Sequence, residues 1–294
     1  MNYLLIDAGG SAIKYAMCND DLILFDKGRI DNARSTKEEY YSKIKSIFDS
    51  MNLQADAVAI SMAGMLDVKT GFCSASNILS DKDMAIAEDL SEMLGVPVTA
   101  INDGFAAALA ELGYGNMQDA DNGAVMVLGT GIGGGIIIGR KLYVGKGNAG
   151  NLSFILTNIN EPFSFGNTFA LRNGINGLKK AIFEKSGMED IDGLKAFELI
   201  RAGNEDVKAG IEYFCDQLAF QIYNLQVILD LDKILIGGGI SNEPTFINYV
   251  SEAFDRFLSQ VRIKVRRPEI INCRYNNDAN LLGALYNWKQ HYSK

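Results

Sequence analysis

Two stretches of the 294-residue chain repeat one plan. Leu4-Leu5-Ile6-Asp7-Ala8-Gly9-Gly10-Ser11 and Met126-Val127-Leu128-Gly129-Thr130-Gly131-Ile132-Gly133 each run from an apolar strand into a glycine turn with a hydroxyl residue, then into a second strand. Without Cβ atoms, the N–H groups of such a turn can approach phosphate oxygens closely; the bland alternative is a tight turn at a sheet edge. Two matching hairpins, one opening each half of the chain, predict a duplicated fold with a phosphate-binding turn in each half.

The second hairpin also spells a dinucleotide fingerprint. Gly129 to Gly134 read GTGIGG, which matches GxGxxG literally. That motif binds a pyrophosphate only where it opens a helix, with an acidic residue about 20 positions on. Here Gly135-Ile136-Ile137-Ile138-Gly139 follows, a β-branched run bounded by glycine that reads as a strand. The dehydrogenase reading is therefore set aside.

The rest of the chain alternates strands with helices, the pattern of an α/β fold with a partly parallel sheet. Tyr3–Asp7, Ala12–Cys18 and Leu22–Ile30 read as strands, the last two joined through Asn19-Asp20-Asp21. A helix follows over 37–51, a strand at Ala57–Ser61, a helix over 84–95 and a strand at Pro97–Ile101. A second half opens near Phe105, with strands at Ala124–Leu128, Gly135–Gly139, Lys141–Val144, Lys233–Ile236 and Glu269–Cys273. Its helices are expected at about 206–230 and 244–261, and a last amphipathic helix at about 279–292. The domains expected are 1–104, joined by the C-terminal helix 278–294, and 105–277.

Composition narrows the function. With 48% hydrophobic and 22% charged residues the chain reads as soluble and globular. No stretch approaches the roughly 20 apolar residues of a membrane span. The first strand begins almost at Met1 without a basic flank, so no signal peptide is expected. A formal charge of −8 argues against a nucleic-acid footprint, and the short run Arg262–Arg267 reads as a solvated helix end. Cys18, Cys73, Cys215 and Cys273 are scattered without a CxxC pair, and the one histidine is His291. Zinc ligation, a disulfide framework and a histidine base are all disfavoured, and a cytoplasmic protein with reduced thiols is expected.

Taken together, Asp7-Ala8-Gly9-Gly10-Ser11-Ala12-Ile13-Lys14 resembles the first phosphate motif of the ROK family of sugar kinases and repressors, in the actin/hexokinase/Hsp70 superfamily. Gly129-Thr130-Gly131-Ile132-Gly133-Gly134 resembles the second, and Ile236-Gly237-Gly238-Gly239-Ile240-Ser241 the adenosine motif. The similarity extends through Ser61-Met62-Ala63-Gly64, Asn102-Asp103 and the final helix. It implies two RNase H-like lobes (the actin-like ATPase fold) around a central cleft that closes on ATP and a sugar. Gly9, Gly10, Ser11, Lys14, Gly129, Thr130, Gly131 and Gly133 would hold phosphates, and Gly237, Gly238 and Gly239 would lie beside the adenosine. Asp7 would act through water on Mg²⁺, although on its own it could equally be a turn-forming aspartate. Lys14 could also be an outward-facing strand residue. A homodimer is expected from the family alone.

The acceptor side follows the same resemblance. Phosphoryl transfer needs positioned phosphates, a divalent ion and a group to take the hydroxyl proton, for which a carboxylate suffices. Asn102-Asp103 matches the family's sugar-binding and catalytic-base pair, with Gly64 and Asn151 as further sugar contacts; by position alone Asp103 could instead cap the helix that follows. Where the family carries Gly-Glu-x-Gly-His, this chain has Gly150-Asn151-Leu152-Ser153-Phe154, so Asn151 replaces the Glu and Phe154 the His. An amide lacks the carboxylate's charge-assisted strength, and a phenyl ring stacks without donating. The family's zinc loop is missing, as in the branch that includes β-glucoside kinases. The expected activity is ATP-dependent phosphorylation of a hexose or glucoside, at the 6-hydroxyl, with Asp103 as base. The alternative is a sugar- or nucleotide-binding regulatory protein; a start directly at the first strand disfavours the DNA-binding role of a repressor.

Overall fold

The computed structural model describes residues 1–147, 149–161 and 164–292. The chain forms two compact units, one of Met1–Tyr114, Leu142–Gly150 and Asn277–Lys294, the other of Gly115–Lys141 and Asn151–Asn276.

The first unit is built on strands β1 (Asn2–Ala8), β2 (Ala12–Asn19), β3 (Leu24–Asp31) and helix α1 (Lys37–Asp49). Strand β4 (Ala57–Met62), the short β5 (Met65–Leu66) and β6 (Cys73–Ala75), helix α2 (Ile86–Leu94), strand β7 (Val98–Asn102) and helix α3 (Asp103–Tyr114) follow. The sheet order is β3-β2-β1-β4-β7, with the first three strands antiparallel and the last two parallel to β1. Helix α3, assigned from the sequence to the second half, belongs to this unit.

The second unit repeats that order. It contains β8 (Gly123–Leu128), β9 (Ile132–Ile138), the first residue of the two-residue β10 (Lys141–Leu142), and helices α4 (Phe169–Asn173), α5 (Ile175–Ser186), α6 (Gly193–Arg201) and α7 (Glu205–Leu229). Strand β11 (Lys233–Gly238), helix α8 (Phe246–Gln260) and strand β12 (Glu269–Asn272) complete it. The order β10-β9-β8-β11-β12 reproduces the first sheet strand for strand, antiparallel at β8–β9 and parallel from β8 through β12. The duplication legible in the two hairpins thus extends to whole sheets, and the fold is α/β with two RNase H-like halves.

The last helix, α9 (Ala279–Tyr292), packs into the first unit. Side chains alternate across a strand, so Leu4, Ile6 and Ala8 of β1 face one way and Tyr3, Leu5 and Asp7 the other. The first set joins Tyr40, Ile44, Val58 and Ile60 in one core. Tyr3 and Leu5 join Ala57 and Ala59 of β4 against Leu281, Leu285 and Trp288 of α9. Small alanines on this face let the helix lie close. The Trp288 and Tyr3 rings meet edge to face, 5.1 Å apart. Asp7 and Ser61 end their strands on this same face, in register; the alternation that buries Tyr3 and Leu5 beneath α9 also turns Asp7 towards it.

Candidate active site

In the first unit, the turn between β1 and β2 closes through Gly9 N–H to Ala12 O at 3.0 Å. Gly10 and Ser11 are exposed at its tip. The turn is also held from β3's end: Asn32 donates its side-chain amide to Gly9 O at 2.8 Å and its N–H to Ser11 O at 3.0 Å. Lys43 in turn donates to Asn32 Oδ1. Nothing in the local sequence marks Asn32, because its role arises from tertiary contact.

Asp7 is buried, and its Oδ1 accepts from Ser61 at 3.3 Å and from Asn280 of α9 at 3.0 Å. Burial pushes its carboxyl above the ordinary range, the nearby Asp103 charge adds to that, and the Asn280 bond and Lys14, its partner across β2, oppose it. Oδ2 makes no hydrogen bond to another described residue.

Asn102 and Asp103 stand where β7 passes directly into α3. Asn102 is buried; its Oδ1 accepts from Phe105 N–H at 3.1 Å, so Asn102 caps the helix. Its amide donates to Gly64 O at 2.9 Å and to Asp103 Oδ1 at 3.0 Å. Asp103 Oδ1 also accepts from Gly104 N–H at 2.8 Å. Capping the helix through the neighbouring asparagine leaves Asp103 Oδ2 without a hydrogen bond to another described residue. Burial raises the Asp103 carboxyl, and the Gly104 and Asn102 donors only partly counter it. Asp7, Gly9, Gly10, Ser11, Lys14, Gly64, Asn102 and Asp103 all lie in this one unit.

The second unit carries the other set. Leu128 pairs with Ile132 across β8 and β9, so Gly129-Thr130-Gly131 is the turn, closed by Gly129 N–H to Gly131 O at 2.8 Å. The string is a hairpin, as its β-branched continuation predicts. Gly133 lies past the turn, inside β9 opposite Val127. Behind the turn stands helix α5: Ile175 N–H donates to Gly129 O at 2.9 Å. A Cβ on Gly174 would sit 2.4 Å from Thr130 O, so only glycine lets the helix start abut the turn. Helix N-termini favour anions, which suits a phosphate site. Gly174 and Ile175 were missed in the sequence, although Ile175, Leu178 and Ile182 carry a helical spacing.

Gly237 and Gly238 end β11 beside Val127 and Leu128, and Gly239 opens a 3₁₀ turn. Gly238 has φ of +96°, and a Cβ there would lie 2.0 Å from Leu128 O. Together Gly129, Thr130, Gly174, Ile175, Phe214 and Ile240 line a pocket of about 240 Å³, with Gly239 at its wall. Asn151 caps a short 3₁₀ turn, its Oδ1 accepting from Ser153 N–H at 3.1 Å. Ser153 anchors that turn to Ile132 O, directly after the Gly129-Thr130-Gly131 turn. Phe154 is half exposed.

Comparison with known proteins agrees with this architecture. Residues 3–291 match the ROK family. The chain is 29% identical to a Beta-glucoside kinase of Listeria monocytogenes, over 99% of this chain and 98% of that one. It is 26% identical to an N-acetyl-D-glucosamine kinase of Haemophilus influenzae, over 96% and 97% of the two chains. Among solved structures, a ROK family protein from Streptococcus pneumoniae in complex with sucrose superposes with a TM-score of 0.85 at 30% identity, covering 100% of this chain and 99% of that one. The chain belongs to the ROK family.

Proposed function

We propose that this ROK-family carbohydrate kinase transfers the terminal phosphoryl group of ATP to the 6-hydroxyl of a hexose or glucoside, with Asp103 taking the hydroxyl proton. The observation that carries this reading is the Asn102–Asp103 junction. One oxygen of Asp103 is fixed by two donors, the other has no hydrogen bond to another described residue, and burial makes the carboxyl more basic than an ordinary aspartate. Asn102 and Gly64 are joined by a hydrogen bond and form one wall of the acceptor site. Asn151 adds its free amide donor, and Phe154 a ring for the apolar face or aglycone of the sugar.

The nucleotide is held by each unit's own glycine turn. Gly9, Gly10, Ser11 and Lys14 serve phosphates in the first unit; Gly129, Thr130 and Gly131 serve them in the second, backed by the start of α5. Gly237, Gly238 and Gly239 stand beside the adenosine.

A single buried carboxylate with one free oxygen fits Mg²⁺ that keeps most of its water shell, with Asp7 holding it through water. When bound, that ion neutralises charge on the transferring phosphate oxygens. Asn280 and Ser61 fix the direction in which Asp7 points.

All four cysteines are buried and outside any disulfide, which fits a cytoplasmic protein, and burial pushes the Cys18 and Cys73 thiols up to about 11. Among the described residues no helix is long and apolar enough to cross a membrane. The net charge of −8 fits a small-molecule acceptor better than a nucleic acid. Val227 and Ile228 at the end of α7 and Ile263 nearby protrude 57%, 75% and 72% exposed, and support a homodimer contact. Light scattering on Ile228→Asp tests that contact.

The central experiment is a coupled assay of ATP consumption over glucose, mannose, N-acetylmannosamine, fructose, cellobiose and aryl β-glucosides, with Asp103→Asn as control. Sugar-dependent turnover lost in the variant supports the reading. If no sugar raises turnover above the variant's level, a regulatory sugar- or nucleotide-binding role takes its place.

A further inference from the structure

Helix α7 has a polar feature that the proposed phosphate turns and acceptor site do not use. A hollow of about 490 Å³ opens between α7, α8 and the end of α4, within the size range of small-molecule sites. Its apolar wall is aromatic: Tyr213 and Phe220 of α7 are 40% and 45% exposed, and Phe220 meets Phe257 of α8 edge to face at 5.9 Å. Its floor is built of amides. Gln221 is 3% exposed, lines the hollow, and has no hydrogen-bond partner for its side chain among the described residues. Lining the hollow, that amide can bond whatever enters it in place of water.

The charges narrow the ligand. The two cations of the lining are already neutralised, Arg256 by Asp216 at 2.7 Å and Arg172 by Glu161. No Lys, Arg, Asp or Glu lies on α7 from Gln217 to Leu229. An anion finds no free countercharge, whereas a ligand with hydroxyls for the amides and a C–H face for the rings fits both walls.

The hollow also borders the nucleotide pocket. Asn173, 1% exposed, lines both cavities. On one side its amide approaches Gln217 Oε1 at 3.5 Å. On the other it precedes Gly174, which abuts Thr130. None of Gly64, Asn102, Asp103 or Asn151 reaches the hollow.

We propose that this hollow is a second carbohydrate site for a neutral sugar, whose occupancy alters nucleotide affinity through Asn173. The coupling rests on the reading of the neighbouring pocket as the nucleotide site; the binding does not. Any coupling must be reciprocal, the sugar changing nucleotide affinity by the factor by which the nucleotide changes the sugar's.

The test is calorimetric titration of the whole chain with glucose, cellobiose and sucrose, and with glucose 6-phosphate and adenosine as comparison arms. Gln221→Leu keeps the side chain's bulk and removes the unpartnered amide, so its Tm should equal or exceed that of the parent. Phe220→Ala is the second variant. One neutral sugar should lose one binding event per chain in both variants, by tenfold or more in affinity. That sugar should also shift the affinity for a non-hydrolysable ATP analogue about threefold or more in the parent alone. Unchanged sugar stoichiometry in both variants overturns the proposal. So does occupation by glucose 6-phosphate or adenosine in place of the neutral sugars, or a change in molar mass showing that a second copy covers this face. If no sugar is phosphorylated but the binding event still disappears in the variants, the kinase reading falls and the second site stands.

Discussion

Asn280 of α9 donates to the very oxygen of Asp7 that also accepts from Ser61 of β4, at 3.0 and 3.3 Å. Two neutral donors on one oxygen leave the other free and fix the carboxylate's plane. Asn280→Leu removes the shorter bond and leaves the carboxylate less oriented. A hydrogen bond to a charged group contributes about 1.5–3 kcal/mol, so kcat should fall about 10- to 100-fold. The half-saturating Mg²⁺ concentration should rise, read from a magnesium titration of the coupled assay. Turnover and magnesium dependence both unchanged would remove Asn280 from the site.

Asp103→Asn separates catalysis from stability. In the proposed role of base, Asp103 would contribute about 10²–10⁴-fold, and the loss should appear in kcat with little change in sugar affinity. The raised carboxyl gives the stability sign: a folded pKa above the unfolded one means stability present below the unfolded pKa, near 4, and lost as pH rises through the folded value. At pH 7 the variant should therefore melt higher than the parent. The difference should shrink as pH falls through the carboxylate range, as thermal melts at pH 4, 5.5 and 7 will show. The parent's kcat should decline on the acid side, at a pH above that of an ordinary aspartate.

Two adjacent glycines should behave oppositely. At Gly238 a Cβ would meet Leu128 O at 2.0 Å, whereas at Gly239 nothing lies within 4 Å. Gly238→Ala should cost about 2–4 kcal/mol in denaturant unfolding, from a left-handed φ combined with a backbone clash. Gly239→Ala should unfold like the parent and raise the KM for ATP. Equal stability loss in both would contradict this geometry.

On the proposed reading, Asn151 and Phe154 would set the acceptor preference. Asn151→Glu combined with Phe154→His restores the family's charged and donating pair. The double variant should shift kcat/KM towards free hexoses over aryl β-glucosides by about tenfold, the scale of one or two hydrogen bonds. An unchanged ratio would show that the 3₁₀ turn at Asn151 does not touch the sugar.

The repeated hairpins, the strand that follows GTGIGG and the final helix were legible because each rests on a local signal: glycine turns, β-branched runs, or apolar spacing. Helices α4, α5 and α6 are not among the elements the sequence predicts. The five residues of α4 are too few to show a period, and α5 starts at Gly174 without a side-chain cap. Asn102 illustrates the other limit. Its place beside Asp103 was visible, but only the structure shows that Asn102 is the helix cap, which leaves one Asp103 oxygen without a hydrogen bond to another described residue. Asn32 and Asn280 were invisible for the same reason, since each serves a loop or strand far away in sequence.

The packing of α9 has a consequence for how the chain is made. A Cβ at Gly283 would lie 1.7 Å from Ala106 O, and one at Gly113 would enter the Tyr286 ring, so α9 and α3 nest in near backbone contact. The first unit therefore needs residues translated only after the whole second unit. On the ribosome, the N-terminal sheet must wait with its Tyr3–Leu5 face uncovered while the later half emerges, and a chain released early would lose the closing helix of the unit it began with.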